Sequence, residues 1–212
     1  MSFESYKNLG EVLKEYEITS SETNYIIESK IDIRESFRED LEFCLKELTF
    51  EESEYAICET IIFPVLKELY RLYRDKFTLW SHKSLIYNEK LSGVPDYIIA
   101  KRSPLGKEIF EQPFFVAVEA KRDDFTKGWG QCLAEMVAIQ KMNDQSEQQT
   151  IYGIVSNGQL WQFGKLQNNR FTKNFAAYTI YNLEQLFAAL NYVFRQCELE
   201  LEAITSGCRD NS

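Results

Sequence analysis

Phe114-Phe115-Val116-Ala117-Val118-Glu119-Ala120-Lys121 is the stretch that decides how this chain folds, because an unbroken apolar run ends in a glutamate and a lysine two positions apart. Such a run predicts a central strand, buried on both faces. Side chains alternate across a strand, so Glu119 and Lys121 share one face while Val118 and Ala120 take the other. Charged groups at the end of a buried strand need partners or a task. A second short apolar strand, 94–100, is entered through Gly93-Val94-Pro95-Asp96 and supplies another carboxylate. Two carboxylates and an ammonium can then converge, and oxygen ligands of this kind suit Mg²⁺, which activates water and steadies charge on a phosphate under attack. The plain alternatives stand beside this reading. Asp is common at turns after proline, and Glu119 and Lys121 would also suit the solvent face of an edge strand.

Working outward, residues 4–16 carry Leu9, Val12, Leu13 and Tyr16 at helical spacing, and residues 33–48 repeat the pattern with Ile33, Phe37, Leu41, Cys44, Leu45 and Leu48. Between them Thr19-Ser20-Ser21-Glu22-Thr23 reads as a polar connector. Thr49 with Glu52 forms a capping-box signature for a helix reaching Tyr73, kinked at Pro64. Residues 77–87, 94–100 and 114–121 are extended, and 102–113, with Pro104, Gly106 and Pro113, reads as a surface loop. Residues 126–142 predict a helix and 151–155 a buried strand. Asn157-Gly158 predicts a two-residue hairpin turn into 160–163. Asn182, capped with Gln185, opens a long final helix, and the tail from Thr205 is expected to be disordered.

The length of 212 residues suits one domain with an extension. Hydrophobic content of 44% and aromatic content of 14% are too high for a disordered chain. No apolar run approaches the ~20 residues of a membrane span, and Met1-Ser2-Phe3-Glu4 lacks a signal region, so a cytoplasmic protein is expected, with no membrane partner. Five scattered cysteines without a Cys-x-x-Cys pair indicate neither a disulfide framework nor a zinc knuckle. His82 is the only histidine, which removes multi-histidine metal sites; it reads as a structural or surface residue. Trp129 and Trp161 read as packing anchors. The net charge of -9 argues against nucleic-acid binding across the whole surface. Lys101, Arg102, Lys107, Lys121, Arg122 and Lys127 nevertheless cluster around the motif strands, as either a basic cleft or an ordinary mixed-charge surface.

The motif pair, Pro95-Asp96 and Glu119-Ala120-Lys121, resembles the PD-(D/E)xK nuclease superfamily. Glu89, the stretch from Gly93 to Ile99, Val118 to Lys121, and Ser156 to Phe163 resemble the nuclease domain at the start of type I restriction motor subunits and its stand-alone relatives. The likeness spans roughly residues 55–165. The order helix, three strands, helix, strand read from periodicity agrees with it. The resemblance implies a restriction-endonuclease-like αβββαβ core, with a small mixed sheet flanked by helices over residues 49–204. A helical extension over 1–48, a long C-terminal helix and a tail over 205–212 complete the expected organisation.

The resemblance also implies a metal-dependent endonuclease hydrolysing DNA phosphodiester bonds, although nothing in the chain speaks against RNA. Asp96 and Glu119, with Glu59 from the first core helix and the backbone carbonyl of Ala120, would hold Mg²⁺ or Mn²⁺. Lys121 would orient or deprotonate the attacking water and steady the phosphate, and Gln131 would orient the lysine or touch the nucleic-acid backbone. Glu59 read alone suits a solvated helix face equally well. Where some relatives place a tyrosine four residues after the glutamine, this chain has Glu135. A homodimer is a further expectation, since enzymes of this fold often need two copies to cut both strands. The alternatives are a non-catalytic module of the same fold binding nucleic acid or a protein partner, and an unrelated acidic interaction protein.

Overall fold

The computed structural model describes residues 2–143 and 149–207. From the N-terminus come α1 (Leu9–Glu15), β1 (Thr19–Thr23), α2 (Glu35–Glu47), α3 (Glu54–Ile57), a π-helical turn (Cys58–Ile62) and α4 (Phe63–Tyr73). Then follow β2 (Phe77–Ser81), β3 (Leu85–Ile86), β4 (Ser92–Gly93), β5 (Tyr97–Lys101), β6 (Glu111–Ala120) and α5 (Phe125–Asn143). β7 (Ile151–Ser156), β8 (Leu160–Gln167), β9 (Arg170–Asn174), β10 (Tyr178–Thr179) and α6 (Leu183–Gly207) complete the described chain.

Eight strands form one sheet in the order β1-β9-β8-β7-β6-β5-β2, with β10 alongside β8, while β3 and β4 make a separate ribbon. The sheet is mixed: β6–β7 and β1–β9 are parallel, and the other pairs are antiparallel. It is larger than the small sheet expected. The fold is α/β, with helices on both faces and a long C-terminal helix. Among the described residues no helix is long and apolar enough to cross a membrane.

β6 is central and buried from Pro113 onward. On one face Phe115, Val116, Val118 and Ala120 pack with Ile61, Leu66 and Leu69 of the π-turn–α4 segment and Phe187, Leu190 and Phe194 of α6. On the other, Phe114 and Ala117 pack with Cys132, Leu133 and Met136 of α5 and with Phe3, Tyr6 and Val12 from the N-terminal segment. Phe114 and Ala117 share a face although three positions apart, because the register with β5 slips between Ile99 and Ala100 and absorbs one residue. A bulge of this kind re-phases the alternation, and here it settles which face Glu119 and Lys121 take. Trp129 and Trp161 are core residues, with their indole N–H groups donated to Gln162 Oε1 and the Gly158 carbonyl.

Several local expectations are corrected. Thr19–Thr23 is no connector: it pairs parallel to β9, so the N-terminal 48 residues are not purely helical. The cap of the first core helix is Ser53, whose hydroxyl accepts from Ala56 N–H, and not Thr49. Phe50 is buried in the core, and the turn that places it there keeps residues 49–52 out of the helix. The irregularity near Pro64 takes the form of the π-turn just before it, because proline offers no N–H to a regular helical ladder. β6 begins at Glu111, inside the expected loop 102–113. The hairpin after β7 has Gly158 at φ 83, and Asn157 N–H donates across it to the Leu160 carbonyl; the central pair is Gly158-Gln159, one residue later than expected. α6 runs on through Thr205 to Gly207, with the Thr205 hydroxyl bonded to the Leu201 carbonyl; the rest of the expected tail, Cys208 included, lies outside the described residues.

The end of α5 is clamped to the start of β6. Asn143 Oδ1 accepts from Phe114 N–H at 2.9 Å, and its Nδ2 donates to the Phe114 carbonyl at 2.8 Å. Both groups lie in the core, where an unmade hydrogen bond costs about 1–3 kcal/mol. Asn143→Ala should therefore lower stability by about that amount, read from the urea midpoint. An unchanged midpoint would mean the clamp is not formed in solution.

Candidate active site

Asp96 stands at the entry to β5, and Glu119 and Lys121 at the exit of β6; antiparallel pairing brings these two ends together. Asp96 Oδ2 accepts from Ala120 N–H at 2.7 Å, which ties the first motif to the second. Glu119 Oε1 pairs with Lys121 Nζ at 2.8 Å. Both are buried, at 4% and 7% exposure, as the doubly covered strand requires. Lys121 reaches a second carboxylate, Glu54 Oε2 at 3.3 Å, from the first turn of α3.

The face that carries these groups is covered by α5, capped by Asp124, whose Oδ1 accepts from Lys127 N–H. Gly128, Gln131 and Glu135 lie on one stripe of that helix, at spacings of three and four. Gly128 has a steric reason: a Cβ there would come within 2.8 Å of both Lys121 Cγ and Val155 Cγ1. The helix can approach the lysine stem only without one. Gln131 and Glu135 are almost fully buried, and no donor is offered to Gln131 Oε1 or Glu135 Oε2.

These residues line a cleft of about 300 Å³ together with Phe3, Glu4, Glu54, Tyr55, His82, Gly93, Val94 and Lys127. Asp96, Glu119, Lys121 and Gln131, expected at a site, are thus in one place. Glu59 is exposed and is not among the lining side chains; Glu54, one turn earlier, is the acidic residue of this segment that faces Lys121. Ala120 is buried, with its N–H given to Asp96. Of the basic cluster only Lys121, Arg122 and Lys127 border this region. Lys101 pairs with Glu111 at the other end of β5, about 15 Å along the strand, and Arg102 follows it. One basic cleft is therefore not what the fold makes of the six.

Besides Glu54, two further residues enter that sequence reasoning missed or set aside. Glu135 was visible only as a departure from a pattern, although a glutamate inside a helix buried from Gly128 to Ile139 is itself a signal. His82 has φ 50, an uncommon conformation for a residue other than glycine. Its N–H donates to the Asp96 carbonyl, its Nε2 lies 3.4 Å from Asp96 Oδ1, and its ring stacks on exposed Tyr55.

Electrostatics follow from burial. Burial raises the Glu119 carboxyl to about 7, Asp96 adds to this, and Lys121 opposes it. Burial and the charges of Glu119 and Asp96 lift Glu135 well above the carboxylate range, and its hydrogen bond with Glu119 adds to that rise. Asp96 is raised by burial against the Ala120 N–H and Lys121, which favour its charge. For Lys121, burial acts to lower the pKa, but attraction and hydrogen bonding to Glu119, with Glu54 and Asp96 beyond, carry it above its ordinary value. It is an ammonium at neutral pH.

The lining holds the carboxyl groups of Glu4, Glu54, Asp96, Glu119 and Glu135 against only Lys121 and Lys127. All-oxygen donors and two unpartnered acceptors fit a hard divalent cation such as Mg²⁺ or Mn²⁺. Among the described residues no three His, Cys, Asp or Glu side chains form a ready-made metal cage, and Lys121 supplies the positive charge on Glu119. No protein-family model matches the chain, and no curated protein is detectably similar to it.

Three raised carboxyls set a pH dependence. Each favours folding below its ordinary value near 4 and withdraws that contribution as pH rises through its folded value, about 7 for Glu119. Melting temperature in EDTA should therefore fall between about pH 5 and pH 8, and Glu135→Gln should flatten that fall by removing one of the coupled acids. A parent profile already flat over this range would mean that the cleft carboxyls are solvated.

Proposed function

We propose that this chain is a metal-dependent nuclease with a restriction-endonuclease-like PD-(D/E)xK core, hydrolysing phosphodiester bonds in DNA. The observation that carries the reading is the meeting of Asp96, Glu119 and Lys121 in one cleft, joined through the Ala120 N–H. The sequence order of α4, β2, β5, β6, α5 and β7 supports it. Asp96 and Glu119, with the Ala120 carbonyl, are the groups that would hold Mg²⁺ or Mn²⁺. A cation so held lowers the pKa of bound water and offsets phosphate charge.

The protein's own groups divide the remaining work. Lys121 enters as an ammonium, so its role is to attract the phosphate and stabilise charge in the transition state rather than to accept a proton. Glu54 steadies the lysine from the solvent side, and Gly128 leaves room for its stem. Gln131 lies beside the reacting region. Arg122 and Lys127 border the cleft and are the groups to meet nucleic-acid phosphates.

One observation favours a second reading. Lys121 already pairs with Glu119, and Glu135 is hydrogen-bonded to the same carboxyl, so Glu119 has protein partners without a ligand. A non-catalytic module of the same fold, binding nucleic acid or protein, would look like this. Incubation with plasmid and single-stranded DNA in Mg²⁺ or Mn²⁺ separates the two. The nuclease reading expects cleavage that Lys121→Ala abolishes while metal-dependent DNA binding survives, and expects Asp96→Asn to damage both. Nicking that persists in Lys121→Ala would place the activity elsewhere, and a parent that binds DNA without cutting it would favour the module.

DNA binding is expected to engage Arg122 and Lys127. Neutralising one side chain that meets a phosphate should reduce the log-log salt slope of duplex binding by about 0.9. Replacing both with Ala should lower the slope by nearly twice that, whereas Lys101→Ala with Arg102→Ala should leave it unchanged. The opposite result would move the DNA to the far end of β5.

A further inference from the structure

Glu135 has an environment that the roles assigned so far do not explain. Its carboxyl is 1% exposed, and the protein offers no donor to Oε2. Its polar neighbour is another carboxyl, Glu119, with Asp96 beyond. An isolated buried carboxyl oxygen is costly, and two carboxyl groups held together need a proton or a cation between them. Gln131 Oε1, 5% exposed and one helical turn earlier, also lacks a donor. Both atoms belong to side chains that line the cleft of Asp96 and Glu119.

We propose that Glu135, with the Gln131 carbonyl oxygen beside it, is a cation ligand contributed by α5, so that the divalent ion is held from the helix as well as from the strands. The inference rests on the metal-dependent reading of the same site and adds the ligands on which its affinity depends. The donor set would be Asp96, Glu119, Glu135 and Gln131, all oxygen, the preference of Mg²⁺ and Mn²⁺. Three carboxylates are balanced by one divalent ion together with the Lys121 ammonium. The unpartnered atoms are on α5, whereas Asp96 Oδ2 and Glu119 Oε1 are engaged by Ala120 N–H and Lys121 Nζ. The free acceptor capacity of the cleft thus includes the helix. Gly128 on the same stripe brings that helix against the lysine stem.

The test is Mn²⁺ binding by titration calorimetry and electron paramagnetic resonance, without nucleic acid, on the full-length parent, Glu135→Gln, Gln131→Leu and Asp96→Asn. Glutamine keeps the size of Glu135 and can still donate to Glu119, so a purely structural role would survive the change. Loss of a ligating carboxylate should weaken Mn²⁺ at least as much as loss of an outer-shell partner, about 10- to 100-fold. Gln131→Leu should weaken it less, and Asp96→Asn should weaken it severely. Parent-like affinity in Glu135→Gln, with Asp96→Asn defective, would overturn this inference and leave the metal-dependent reading standing. A parent that binds no Mn²⁺ would overturn both. If Glu135→Gln does not fold, judged by circular dichroism, Glu135→Asp decides: it keeps the charge but withdraws the oxygens by one methylene. A loss of tenfold or more supports ligation, and unchanged affinity overturns it.

Discussion

The rest of the structure depends on an ion pair placed at the end of a strand that is buried on both faces. Glu119 and Lys121 are charged groups where the fold offers almost no water. Strand alternation directs both to the α5 face, and the β6 bulge sets that alternation. The helix opposite cannot then be uniformly apolar. It presents a glycine where the lysine stem passes and an amide and a carboxyl where Glu119 stands. Asn143 fixes the far end of the same helix to Phe114, which holds α5 to β6 at both ends of their shared face. On the other face of the sheet the π-turn serves a related purpose: its Cys58 carbonyl receives the Tyr97 hydroxyl, next in sequence to Asp96. Position of the first carboxylate is thus set by helix packing as well as by strand pairing.

Much of this was legible in the residues. An apolar run too continuous for a surface strand gave β6, and apolar residues at helical spacing gave α2, α4, α5 and α6, because in each case burial is written into the period. β1 left no such trace. All five of its residues are exposed, so there is no alternation to read, and its pairing with β9 joins segments 151 residues apart. Thr49 and Ser53 are both competent caps locally, and the choice was made by Phe50, whose burial is a tertiary fact. That Glu54 rather than Glu59 faces Lys121 is likewise a tertiary outcome that the local sequence does not mark. The basic cluster failed differently: Lys101 and Arg102 lie at the far end of the β5–β6 ladder from Lys121 and Arg122, and proximity along the chain says little about proximity in space.

His82 shows how a local irregularity can carry more information than residue type. A lone histidine in an extended stretch looks structural, yet its left-handed backbone ends β2 and turns the ring between Tyr55 and Asp96. Such a conformation persists only where surrounding contacts over-determine it. Those contacts are present: the backbone N–H to the Asp96 carbonyl, Ser81 on Nδ1, and Tyr97 edge-on to the ring. Together they hold the cleft side of Asp96 in place, a result that strand pairing alone does not ensure at a residue lying just before the ladder begins.

The charge of the cleft bears on what it can accept. Its lining carries more carboxyl than ammonium groups, and Lys121, the most buried of its cations, is already engaged by Glu119 and Glu54. A phosphate brought alone to this lining meets carboxylates with little free positive charge, and the low local polarity strengthens the repulsion. Under the proposed nuclease reading, a divalent cation held by Asp96 and Glu119 would offset this repulsion and give the Glu119 carboxylate a second partner beside Lys121. On that reading, the cation would be expected to bind before nucleic acid. On this view the acidity of the cleft is compatible with a phosphodiester substrate, provided that the ammonium of Lys121 and the cation act on the phosphate together.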